Sequence, residues 1–393
     1  MTEKPMPFQI DAAFPGGNIV INRIQHDQIE LSQDLRDTDG WWFYWCFRVR
    51  GAAGRILTFN FTDRSVIGVR GPAVSGDQGQ MWRWLGADHV RGSGFSYAFA
   101  DDEDDVRFSF GMPYQESHLN AFLGRFRNHP LLQVEPLCTT RQNRSVERLH
   151  FGRLESAPGF RAILTCRHHC CEMMANYELE GIIEETLSES QAGRWLSANV
   201  EFLAVPFMDK DGVESGDQGK NRKPHDHALD YGETCLYPSV AAVREFIPRW
   251  LAGKPTVALD LHCPGPRGEF HEVILCPNRL RGEENWRQTR PFLEALEATQ
   301  RGPLVFRTAD SIRFTTWDGK PSGPPAATFS SWIQSVPGVR FGSVIELPYA
   351  NAGGREVNQN TARAFGHDLA RALYLYLRDG TNRKPDEPDA RDG

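Results

Sequence analysis

Within the run Cys166-Arg167-His168-His169-Cys170-Cys171-Glu172, a histidine and a glutamate stand three positions apart. Imidazole nitrogen and carboxylate oxygen are ordinary zinc ligands, and two of them on one short turn are a common start for a metal site. A catalytic zinc needs a third protein ligand and an open position for water. Val257-Ala258-Leu259-Asp260-Leu261-His262 reads as a buried strand ending on a histidine. In open α/β sheets ligands gather at such strand ends, so His262 is the expected third ligand beside His169 and Glu172. Asp260, two residues earlier on the same face, is placed to orient a ligand from behind. In Val344-Ile345-Glu346-Leu347-Pro348 a carboxylate interrupts an apolar strand, where charge is costly unless it is paired or used. Beside a metal, Glu346 would take a proton from water and pass it to a leaving group. Its structural alternative is a buried ion pair. The thiols offer a rival: Cys166, Cys170 and Cys171 with His168 would form a thiolate zinc site.

These groups need a scaffold. Up to about residue 115 the pattern is all-β. Phe43, Trp45, Phe47 and Val49 alternate with Trp42, Tyr44 and Cys46, and Ile56–Phe61 and Phe95–Phe99 repeat the habit between glycine-marked turns. This predicts a β-sandwich domain over 1–115. The acidic run 101–105 lacks the spaced ligands of a calcium loop and reads as solvated. Beyond a helical stretch at Leu119–Phe126, strands and helices alternate. The expected strands are Phe160–Thr165, Val200–Val205, Val257–Leu261, Glu272–Cys276 and Val344–Leu347. The expected helices are Glu172–Leu187, Ser239–Leu251, Pro291–Thr299 and Thr361–Leu377. Such alternation predicts an α/β domain over 116–379 with a central, mostly parallel mixed sheet. The charged segment 380–393 has no apolar anchor and reads as a disordered tail.

Composition narrows the class. A chain of 393 residues with 40% hydrophobic content can bury two cores, and a net charge of -7 argues against a nucleic-acid surface. No stretch approaches the roughly 18 apolar residues of a membrane span. The N-terminus shows no apolar signal region. Eight cysteines without such a signal read as reduced thiols in a cytoplasmic protein.

Taken together, His169-Cys170-Cys171-Glu172, His262 and Glu346, in that order, resemble the zinc metallocarboxypeptidases of the funnelin type, most closely their cytosolic carboxypeptidase branch. Trp41–Gly51 and Phe108–Tyr114 resemble that branch's N-terminal sandwich and its exit. The resemblance covers roughly residues 10 to 378. It implies one zinc per chain and hydrolysis of a peptide or small amide by a metal-activated water. In the branch the turn reads HPGE, where two cysteines stand here. Asp209–Val213 corresponds to the family's NPDG segment, and Arg222 to its carbonyl-polarising arginine. At the Asn-Arg pair that clamps a peptide's terminal carboxylate, the matching stretch is read as carrying Asp230 and Tyr231. That implies altered substrate recognition, unless another residue such as Arg355 supplies a relocated clamp. Two alternatives follow: a zinc-dependent deacylase of a non-peptide amide, or a metal-retaining binding protein without turnover.

Overall fold

The computed structural model describes residues 8–62, 66–277, 283–313 and 327–380. Two five-stranded sheets make up the N-terminal part. One contains Cys46–Arg50 and Asp105–Ser109, and the other contains Ile56–Phe61 and Gly94–Ala98. Period-two alternation sends one face of each sheet inward. Phe47 and Phe108 of the first meet Phe59 and Phe95 of the second, with ring centroids 5.2 Å (Phe47–Phe59) and 5.4 Å (Phe95–Phe108) apart. The result is a β-sandwich with an aromatic interior.

A six-stranded sheet follows, in the order Leu132–Thr139, Ser145–Gly152, Val200–Val205, Phe160–Cys166, Thr256–His262, Val339–Glu346. Its last four strands are parallel and its first two antiparallel. The parallel strands are buried on both faces. Ala162, Leu164 and Leu259 pack with Tyr177, Ile182 and Phe365 of the helices Met174–Thr186 and Gln359–Gly380. Ile163, Leu203 and Ala258 pack with Val240, Ile247 and Phe329 on the other side. This explains why those strands read as near-continuous apolar runs. No helix among the described residues is long and apolar enough to cross a membrane.

Several expectations are corrected. Trp41–Val49 is not one strand: only Cys46–Arg50 pairs in a sheet, because Tyr44 exchanges its backbone bonds with the Gln218 side chain instead. Glu272–Cys276 is not a strand either, and its backbone makes a single bridge between Leu275 and Glu346. The helix expected at Pro291 starts at Glu283 and carries the proline inside. The hairpin of the first two sheet strands was not foreseen. Of the expected tail, Gly380 ends the last helix and 381–393 lies outside the described residues.

Helices Met174–Thr186 and Gln359–Gly380 touch at glycines. A Cβ on Gly366 would lie 2.0 Å from the Glu178 carbonyl oxygen, and one on Gly181 2.0 Å from that of Arg363. Gly→Ala inside a helix normally gains about 1 kcal/mol. Here the sign should reverse: Gly366→Ala is expected to cost on the order of 1–3 kcal/mol through overpacking. Urea unfolding measures it, and a variant as stable as wild type would contradict this contact.

Candidate active site

The parallel register does the positioning. Thr165 pairs with Asp260, and His262 pairs with Glu346, so three strand ends deliver their polar groups to one sheet edge. At the first of these ends the chain turns sharply. Arg167 takes a left-handed φ of 64°. Its buried guanidinium reaches the Cys170 carbonyl (Nε, 2.8 Å), the Tyr114 carbonyl (2.9 Å) and Asn176 Oδ1 (2.8 Å). Those bonds hold a turn that aims His169 and Glu172 the same way.

The two imidazoles converge on one carboxylate. His169 Nδ1 lies 2.8 Å from Glu172 Oε1, and His262 Nδ1 lies 2.7 Å from Glu172 Oε2. Each ring is held from behind: His262 Nε2 is 2.9 Å from Asp260 Oδ2, and His169 Nε2 is 3.3 Å from Asp226 Oδ1. A carboxylate at Nε2 favours a proton on that nitrogen, so Nδ1 is the atom each ring would offer to a metal. Burial pushes Glu172, Asp226 and Asp260 up, but the neighbouring imidazoles outweigh it and hold all three well below the usual carboxylate range. Glu346 differs. Burial, and then the charge of Glu172, outweigh the pull of His262 and push it up to about 7. Its Oε2 is buried without a partner.

This donor set fits a divalent metal. The ligand atoms of His169, Glu172 and His262 lie within 4.8 Å of one another. Two imidazole nitrogens and a carboxylate converging on one point, beside the orphaned Glu346 oxygen, are the donor set a divalent cation would take. The three groups border a cleft of about 490 Å³ that also carries Glu346, Lys220, Trp42, Ala228 and Leu229.

The other expected residues lie elsewhere. Arg222 is not in the cleft. It is caged by Asp217 (2.7 Å), Asp37 (3.1 Å) and Asp209 (3.2 Å), which hold it firmly protonated against the cost of burial. Asp230 is also turned away: its oxygens accept the Leu236 and Tyr237 amides at 2.9 and 2.8 Å, at the entry to the helix Pro238–Leu251. The Tyr231 hydroxyl points behind the ligands, 2.8 Å from His168 Nε2. The cleft wall expected from Asp230 and Tyr231 is made by Ala228 and Leu229, two positions earlier. Arg355 is exposed on the short strand Arg355–Glu356. The thiols diverge: Cys166 meets the Ala175 carbonyl, Cys170 the Asp217 carbonyl and Cys171 the Tyr349 hydroxyl. Among the described residues no cysteine joins a metal-competent cluster.

The sequence reading missed Lys220, whose Nζ is 3.3 Å from His169 Nε2, and Asp226. Both stand in a polar loop without periodicity, and their only signal is proximity to the resemblance's expected arginine and clamp.

No protein-family model matches the chain. A metallo-carboxypeptidase from Burkholderia cenocepacia superposes with a TM-score of 0.76 at 20% identity, covering 95% of this chain and 100% of that one. The chain has the metallocarboxypeptidase fold. Its sequence relatives include cytosolic carboxypeptidase 6 of Caenorhabditis elegans, 23% identical over 64% of this chain, and an uncharacterized protein of Zymomonas mobilis, 28% identical over 53%. The match spans 61% and 55% of the lengths of those two relatives.

With His262 as the third of the expected ligands, His262→Ala should abolish tight binding of a divalent metal. Metal analysis of the purified variant decides it: full occupancy would remove His262 from the ligand set.

Proposed function

We propose that the protein is a zinc-dependent hydrolase of peptide or amide bonds, of metallocarboxypeptidase type, with one zinc per chain held by His169, Glu172 and His262. The observation that carries this reading is the convergence of both Nδ1 atoms on Glu172 with Glu346 at the next strand end. When bound, zinc supplies a Lewis acid and lowers the pKa of water. Glu346 then takes the proton of the attacking water and returns it to the leaving nitrogen. Burial raises the affinity of Glu346 for a proton, which suits both halves of that exchange. Lys220, at the cleft, assumes the part first assigned to Arg222: it faces the negative charge that develops on the carbonyl oxygen.

The proposed substrate is a peptide or small amide whose leaving side meets Ala228 and Leu229. Those side chains favour an apolar group, which gives the deacylase alternative its support. Glu346 weighs against a binding protein without turnover, since burying a carboxylate with an unpartnered oxygen serves binding poorly. A cytosolic setting is proposed from the names of the relatives.

Two substitutions test the scheme on any amide turned over from a panel of peptides and N-acyl amino acids. Glu346→Gln should retain zinc and fold while kcat falls about 10²–10⁴-fold. A near wild-type rate would remove Glu346 from the mechanism. Lys220→Met should lower kcat by about 10²–10³-fold, as loss of one oxyanion donor does. An unchanged kcat, read from full progress curves, would leave the charge on the carbonyl oxygen to other groups.

A further inference from the structure

Behind the proposed ligands lies a second line of buried polar groups that no catalytic step uses. His168 is fully buried. Its Nδ1 is 2.8 Å from Asp260 Oδ1 and its Nε2 is 2.8 Å from the Tyr231 hydroxyl. Thr165 Oγ1 donates to the same Asp260 oxygen at 2.8 Å. The hydrogen-bond pattern selects one arrangement. The Asp260 carboxylate can only accept, so His168 carries its proton on Nδ1 and gives it to Asp260, and Nε2 takes the Tyr231 O–H. Oδ1 of Asp260 is thereby occupied by Thr165 and His168. Oδ2 is left for His262 Nε2–H, which turns Nδ1 of that ring toward Glu172.

Tyr231 is itself anchored. Its amide donates to the Ala327 carbonyl at 3.0 Å, and its ring packs on Phe329 and Trp332 with centroids 5.6 and 5.4 Å away. It stands on the same short loop as Asp226, which holds His169. One loop thus reaches both imidazoles, directly from Asp226 and through His168 and Asp260 from Tyr231. Between those two anchors, Ala228 and Leu229 line the cleft.

We propose that Tyr231 and His168 are positioning residues of the metal centre: they lock Asp260, and through it the His262 ring, so that the loop lining the cleft and both imidazoles are held as one unit. This rests on the reading of His169, Glu172 and His262 as ligands. His168, Asp260 and His262 also lie close enough to hold a cation of their own. The relay uses His168 otherwise: both its nitrogens are spent on Asp260 and Tyr231.

Tyr231→Phe keeps the ring and removes only the hydroxyl. On the full chain, zinc affinity by chelator competition should fall, by no more than the ~10–100-fold that loss of a group bonded directly to a ligand costs. The visible spectrum of the cobalt(II)-substituted protein should shift. In a His168→Phe background, where the relay is already cut, Tyr231→Phe should have no further effect on affinity. His168→Asn, whose amide can still donate to Asp260, should retain more affinity than His168→Phe and provides an independent arm if a phenylalanine variant fails to fold. Unchanged zinc affinity and cobalt spectrum in Tyr231→Phe would overturn the proposal. So would two zinc equivalents in wild type with one lost in Tyr231→Phe, which would make this a second metal site. A wild-type protein that binds no zinc would instead overturn the hydrolase reading itself.

Discussion

A carboxylate closed between two imidazole nitrogens is the constraint on which the rest of this structure depends. Glu172 sits 2.7–2.8 Å from both Nδ1 atoms, so one carboxylate fixes the facing edges of two rings. That constraint reaches outward. Asp226 and Asp260 must take the far nitrogens, or the rings would present N–H groups where lone pairs are needed. The strands must pair in a register that brings Thr165, Asp260 and Glu346 to one edge. Arg167 must fold back under its own turn, in a backbone conformation that non-glycine residues seldom adopt.

How far the sequence revealed this follows from which interactions are local. His169 and Glu172 share one turn, and Asp260 and His262 share one strand, so spacing alone brought them forward. Glu346 was legible because a carboxylate in an apolar strand violates the pattern around it. Arg222 misled because a sequence shows that an arginine is available but not that Asp37, from far away in the chain, will claim it. Asp230 and Tyr231 misled by two residues: in an aperiodic loop, nothing fixes which side chains face the cleft until tertiary packing does. The strand expected over Trp41–Val49 forms only from Cys46 on. At Tyr44 the backbone finds another partner. That partner, a glutamine side chain about 170 residues later, follows no ladder rule.

That glutamine belongs to a loop with an unusual foundation. Residues 216–222, which carry Lys220 to the cleft, take few of their bonds from the α/β sheet. Gln218 and Gly219 donate their amides to Asp37, and the Gln218 side chain bonds the backbone of Asp34 and Tyr44. The Gly216 carbonyl accepts from Asn18, and Asp217 pairs with Arg36. Trp42, from the same N-terminal segment, completes the cleft wall beside Lys220.

The geometry of the cleft is therefore divided between two supports of different character. His169, Glu172 and His262 rest on a sheet buried on both faces, while the cleft's lysine rests on a bed of side-chain bonds supplied by the N-terminal part. Heat or denaturant acting on that bed would shift Lys220 before any strand of the sheet lets go. Local opening of such a bed needs no strand to part, so displacement of Lys220 would leave every measure of secondary structure unchanged.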